Sequence, residues 1–120
     1  MNFVLIGVNH TTAPLDVREQ LAISEARLPE AMRRLAEYPG VEEGMILSTC
    51  NRVEVLANCD AQVDLRAFLR DYFPVEPGRY AHCLYEYRER EAIRHLFRVA
   101  ASLDSMVVGE PQILGQVKEA

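Results

Sequence analysis

Apolar positions along the chain fall into two kinds of run, continuous and helically spaced, and their order predicts the elements. Phe3 to Asn9 is short, apolar and rich in β-branched residues, so it reads as a buried strand. It gives way to Asn9-His10-Thr11-Thr12-Ala13-Pro14, a polar stretch with loop chemistry. Asp16 then stands as the cap of a short helix, with Glu19 three residues on. Leu28, Ala31, Met32, Leu35 and Ala36 recur at helical spacing and mark one stripe. Ser24 is a candidate N-cap for that helix, although it would place Pro29 inside it at the cost of a hydrogen bond. Tyr38-Pro39-Gly40 stops the helix. Two strands are predicted at Gly44 to Ser48 and Val53 to Asn58, joined by the polar connection Thr49-Cys50-Asn51-Arg52. Leu65, Phe68, Leu69 and Tyr72 mark a further helix, closed by Phe73-Pro74. Cys83, Tyr85 and Tyr87 alternate as in a strand. A helix follows from about Glu89 to Ala101 with the stripe Ile93, Leu96, Phe97, Ala100 and Ala101, and a last one starts near Glu110-Pro111. This order predicts an α+β sandwich with helices over a mainly antiparallel sheet.

Composition narrows the classes. With 120 residues, 49% of them hydrophobic and 26% charged, the chain has the size and balance of one globular domain. No apolar run reaches the ~20 residues of a membrane span, so no membrane partner is expected. The start, Met1-Asn2-Phe3-Val4-Leu5-Ile6-Gly7, lacks the basic and apolar parts of a signal peptide, and a cytoplasmic location is expected. The net charge of −5 argues against a broad phosphate-binding surface, so any nucleic-acid contact should be local and made by a few arginines. Neither G-x-G-x-x-G nor a P-loop is present.

Three cysteines, Cys50, Cys59 and Cys83, are too widely spaced for a zinc site and odd in number for a disulfide framework, and no metal is expected. Cys59 and Cys83 have the surroundings of structural cysteines, which behave as small hydrophobes. Cys50 is different, because Thr49, Asn51 and Arg52 surround it with donors and a cation. A free thiol is only roughly 3% ionised at neutral pH, and such neighbours favour the anion. A reactive thiol and an inert loop cysteine both fit this pattern. His10 suits a hydrogen-bonded loop and His82 an exposed position. His95 projects about 160° from the Ile93–Leu96–Phe97 stripe, among Ala92, Val99 and Ser102, given roughly 100° per residue. It is either a solvated histidine or one that looks into a cleft and exchanges protons near neutral pH. Ser105, Glu110, Gln112 and Gln116 supply donors and acceptors for a small polar ligand, or belong to an ordinary amphipathic helix.

Three collinear blocks decide among these alternatives. Gly7-Val8-Asn9-His10-Thr11-Thr12-Ala13-Pro14 with Arg18-Glu19, Leu47-Ser48-Thr49-Cys50-Asn51-Arg52-Val53-Glu54, and His95-Leu96-Phe97-Arg98-Val99-Ala100 running to Gln116-Val117-Lys118 resemble the glutamyl-tRNA reductase family, which opens the five-carbon route to tetrapyrroles. The resemblance spans essentially the whole chain and departs from the family at Ala101-Ser102, where a glycine is more usual. It implies a ferredoxin-like α/β sandwich and makes residues 1–120 the N-terminal catalytic domain, without the family's NADPH-binding and dimerisation domains. It places the nucleophile on Cys50, the histidine important for activity on His95, and substrate recognition on Thr49, Asn51, Arg52, Ser105, Glu110, Pro111, Gln112 and Gln116. The implied reaction is NADPH-dependent reduction of glutamyl-tRNA(Glu) to glutamate-1-semialdehyde through a Cys50 thioester. The chain alone is then expected to lack hydride transfer, because NADPH would be held by a domain it does not contain. The implied partners are glutamyl-tRNA(Glu), a second copy in a full-length homodimer, and the downstream glutamate-1-semialdehyde aminomutase. The alternatives are a non-catalytic module that binds aminoacyl-tRNA or a regulator, and a redox-sensing thiol, although no second cysteine stands in resolving position.

Overall fold

The computed structural model describes residues 2–60 and 62–106, with side chains as far as residue 101. Its elements run β1 (Asn2–Asn9), α1 (Leu15–Leu21), α2 (Leu28–Ala36), β2 (Val41–Ser48), β3 (Arg52–Cys59), α3 (Leu65–Tyr72), β4 (Tyr85–Arg88) and α4 (Arg90–Met106). Two single 3₁₀ turns, Pro77–Arg79 and Ala81–Cys83, link α3 to β4. The strands pair in the order β2-β3-β1-β4, and every pair is antiparallel. With helices in the β1-to-β2 and β3-to-β4 connections, this is the ferredoxin-like α+β arrangement.

The two central strands explain their own sequences. β1 and β3 are flanked on both sides, and their middles are buried on both faces, so each reads as a nearly unbroken apolar run. One face of the sheet carries Val4, Ile6, Val8, Val53, Val55 and Ala57 into the main core, with Val17, Leu21, Leu28, Leu35, Phe68 and Leu69 from the helices. Each aliphatic side chain buried there contributes roughly 1.5–3 kcal/mol, so this face holds the fold together. The other face has a smaller cluster, in which Leu5, Met45 and Leu56 meet Ala92 of α4. Because α4 alone packs on it among the described helices, that face has room for polar groups.

Several local details differ from the sequence expectation for identifiable reasons. Asp16 does not cap α1; the helix starts directly after Pro14, whose extended backbone ends the preceding loop. Ser24 does not cap α2 either. Its carbonyl accepts from the Arg27 and Leu28 amides in a turn, and the helix starts at Leu28, where Pro29 falls in the tolerated first turn. Asp64 caps α3 by accepting from the Arg66 amide at 2.9 Å. Gly40 ends the turn after α2 with φ +89°, a conformation that favours glycine. Cys83 lies in a 3₁₀ turn rather than in β4. Glu89 takes φ +54° and donates its amide to the Phe3 carbonyl, so α4 begins one residue later. The predicted helix near Glu110 lies outside the described residues.

The largest correction concerns α4. Its packed face is Ala92 (0% exposed), His95 and Val99, with Leu96 half-buried, whereas Phe97 is 69% exposed. The small side chain of Ala92 lets the helix approach the sheet closely, and His95 goes inward with it. The solvated reading of His95 is thereby overturned.

Candidate active site

The site begins at the β2–β3 hairpin tip. The Thr49 amide donates to the Arg52 carbonyl at 2.8 Å, and the Thr49 hydroxyl accepts from the Asn51 and Arg52 amides at 3.2 Å each. Thr49 therefore builds the turn, and Cys50 sits exposed at its apex. Arg18 of α1 ties this tip to the loop after β1. Its Nη1 donates to the Cys50 carbonyl at 2.8 Å and its Nε to the Ala13 carbonyl at 3.2 Å. In that loop, the Asn9 side-chain oxygen accepts from the Thr11 amide, the Thr11 hydroxyl and the Thr12 amide.

Hydrogen bonds to a charged donor contribute roughly 1.5–3 kcal/mol, so Arg18 restrains the apex appreciably. Arg18→Ala should speed amide hydrogen exchange at Asn51 and Arg52 by about tenfold while leaving the β1 amides unchanged. Unaltered exchange at the tip would show that the strap does not hold it.

From the tip, β3 turns its alternate residues toward α4. Arg52 and Glu54 follow each other on that face, as residues i and i+2 of a strand must. Glu54 is only 3% exposed, and three groups converge on its Oε2. These are the Tyr85 hydroxyl at 2.5 Å, His95 Nε2 at 2.5 Å and Arg52 Nη1 at 3.4 Å. Burial raises the Tyr85 pKa strongly and the Glu54 charge adds to it, so the phenol stays protonated and donates. Tyr87 stacks on the imidazole of His95, with ring centroids 4.7 Å apart.

Above this cluster opens a cleft of about 250 Å³, lined by Asn9, Arg52, Tyr87, His95, Arg98 and Val99. Arg98 is exposed and has no ion pair among the described residues, and Arg52 uses one nitrogen on Glu54. An acidic chain thus gathers two guanidinium groups and a histidine around one hollow. A larger hollow of about 450 Å³ beside Tyr38 is lined by Asp60 and Asp64 and by no guanidinium or imidazole, so an anionic substrate favours the smaller one.

The sequence-assigned residues divide accordingly. Thr49, Cys50 and Asn51 occupy the tip, while Arg52 and His95 line the cleft next to it. The backbone of Ser105 lies in α4; its side chain, and Glu110, Pro111, Gln112 and Gln116, lie outside what is described. Cys59 and Cys83 are buried, as structural cysteines should be, and burial raises the Cys59 pKa. Sequence reasoning missed Arg18, Glu54, Tyr85, Tyr87 and Arg98. A signal existed for Glu54, a carboxylate set in the otherwise apolar run Val53 to Ala57. Among the described residues, no three His, Cys, Asp or Glu side chains are grouped as metal ligands.

Comparison with known proteins agrees on one relationship. Residues 6–120 match the family model described as "Glutamyl-tRNAGlu reductase, N-terminal domain". The chain is 64% identical over 121 residues to glutamyl-tRNA reductase 2 of Koribacter versatilis, covering all of this chain and 28% of that protein. It is 48% identical over 120 residues to glutamyl-tRNA reductase of Shewanella oneidensis, covering 100% of this chain and 29% of the relative. The solved glutamyl-tRNA reductase from Methanopyrus kandleri superposes with a TM-score of 0.65 at 36% identity, over 98% of this chain and 26% of that one. The chain therefore spans less than a third of the length of each of these relatives.

Proposed function

Because the chain belongs to the glutamyl-tRNA reductase family, by its N-terminal domain, we propose that it performs the acyl-transfer half of that enzyme's reaction. It takes the glutamyl group from glutamyl-tRNA(Glu) onto Cys50, and in the whole enzyme the hydride that turns the thioester into glutamate-1-semialdehyde for tetrapyrrole synthesis would come from NADPH held outside the described residues. One observation carries this reading: an exposed thiol at a hairpin apex, two residues before an arginine that shares a cleft with a histidine.

In the proposed step the Cys50 Sγ attacks the ester carbonyl. The C–S bond forms, the C–O bond to the terminal ribose breaks, and the thiol proton is released. The departing ribose oxygen takes up a proton, which His95 supplies from the cleft. Thiol plus ester becomes thioester plus alcohol, with no change of oxidation state. The thioester carbonyl is more electrophilic than the ester, which splits a hard reduction into two easier steps.

Arg52 keeps part of its planar fork free of Glu54, and this suits it to the glutamyl side-chain carboxylate. Arg98 adds a second positive charge at the rim. Glu110 is assigned to the substrate amino group, and Asn51, Ser105, Pro111, Gln112 and Gln116 to its orientation. The described residues do not fit NADPH themselves. Their strand pairs are all antiparallel, and there is no parallel βαβ crevice with a glycine-rich turn for a dinucleotide. Hydride transfer and dimerisation are assigned to parts of the relatives' length that this chain does not span, and the aminomutase is a partner proposed for the whole enzyme.

The reading is tested by substrate choice. A cleft with the open part of the Arg52 fork and the Arg98 guanidinium on its wall should accept glutamyl-tRNA over the same tRNA charged with glutamine by at least about 100-fold in acyl transfer to the protein, because the neutral amide leaves those N–H donors without an anionic partner. Equal transfer of labelled glutamine and glutamate would remove the reason for placing the carboxylate on Arg52.

A further inference from the structure

The proposed step uses Cys50, Arg52 and His95 but leaves the most buried charge in the site, Glu54, without a role. Resting on that acyl-transfer reading, we propose that Glu54 is a positioning residue. Through one oxygen it fixes His95 as the Nε2–H tautomer, leaving Nδ1 to serve the substrate, and it anchors Arg52 beside it.

Hydrogen-bond capacity decides which ring nitrogen of His95 carries the proton. An ionised carboxylate only accepts, so every contact to it must be a donation. Tyr85 donates its hydroxyl and Arg52 an N–H, and His95 Nε2, 2.5 Å from the same oxygen, must carry its own proton. The second ring nitrogen has no hydrogen-bond partner among the described residues, and His95 lines the cleft. Neutral His95 then presents a lone pair at Nδ1, and protonated His95 presents the proton that the leaving oxygen takes. A charge only 3% exposed is costly unless paired, and here three donors pair it.

The sheet is built to permit this. Tyr85, Gly7 and Glu54 form one cross-strand row, with Gly7 opposite both. A methyl group on Gly7 would stand 2.8 Å from the Glu54 Cγ. The bare glycine therefore opens the space over which the Tyr85 hydroxyl and the Glu54 carboxylate meet beneath His95.

Glu54→Gln tests the assignment, because the amide keeps the size but exchanges an acceptor for a donor among three donors. A carboxylate-to-amide change behind the catalytic histidine of serine proteases admits the wrong tautomer and costs about 10⁴ in rate. Glu54 also anchors Arg52, and its partner histidine acts on the leaving group alone, so a smaller loss of roughly 100-fold is expected here. It should appear in the maximal rate of Cys50 acylation by glutamyl-tRNA, with iodoacetamide alkylation of Cys50 unchanged. Nitrogen-15 spectra should show His95 as Nε2–H in the wild type and as a mixed or Nδ1–H ring in the variant.

Acylation within threefold of wild type, or a slow variant whose histidine tautomer is unchanged, would overturn the proposal. An Nδ1–H tautomer in the wild type would do so as well, even if the variant does not fold. If the wild-type protein takes no glutamyl group at all, the acyl-transfer reading fails instead, and the tautomer alone judges Glu54.

Discussion

Cys50→Ser is expected to lower transfer of labelled glutamate from glutamyl-tRNA to the protein by at least about 10³-fold, roughly 4 kcal/mol of barrier. A hydroxyl is far harder to ionise than a thiol, and among the described residues no base is hydrogen-bonded to the apex to remove its proton. The two remaining cysteines cannot take over. Cys59 is buried at the end of β3, where its thiol lies 3.7 Å from the Asn2 carbonyl, and Cys83 is buried in a 3₁₀ turn. The fold should not notice the change, because the residue is exposed and its backbone contacts to Arg18 involve only the carbonyl. An unchanged melting temperature with lost transfer is therefore the expected pair of results. Undiminished labelling of the variant would remove Cys50 from the chemistry.

Gly7→Ala is expected to lower the melting temperature by about 10 °C and to disable the site together with the fold. The new methyl carbon would lie 2.6 Å from the Val53 carbonyl oxygen and 2.8 Å from the Glu54 Cγ. The first of these is backbone in a central strand and has no rotamer to escape into. Overpacking of this kind costs about 1–3 kcal/mol or more. Replacing glycine within a strand recovers only roughly 0.5–1 kcal/mol of chain entropy, so the clash decides the sign. A loss of about 2 kcal/mol corresponds to the stated shift in a domain of this size. Thermal unfolding followed by circular dichroism measures it; a variant that melts within two degrees of wild type would show that the row over Gly7 has slack. Acylation should fall as well, because Glu54 and then His95 must move.

What could be read from the sequence follows from the physics of each element. The strands were legible because β1 and β3 are buried on both faces, and no helix period fits their nearly unbroken apolar runs. The hairpin tip was legible because Thr49-Cys50-Asn51-Arg52 has polar chemistry between two such runs. Helix starts were misplaced where proline geometry, at Pro14 and Pro29, outweighed side-chain capping. The orientation of α4 was the most instructive error. Periodicity ranks Phe97 and Ile93 above small residues, whereas the sheet face beneath α4 is partly polar and selects Ala92 and His95. Glu54, Tyr85 and Gly7 are far apart in sequence, and only the register of three strands puts them in one row. No one-dimensional pattern contains that information.

The proposed acyl transfer leaves a covalent glutamyl group on one sulfur, and mass spectrometry reads it directly. After incubation with glutamyl-tRNA and acid quench, the protein should gain the mass of one glutamyl residue, located on the peptide that contains Cys50 and removed by hydroxylamine. An unchanged mass, or the same hydroxylamine-labile adduct on the Cys50→Ser protein, would contradict it.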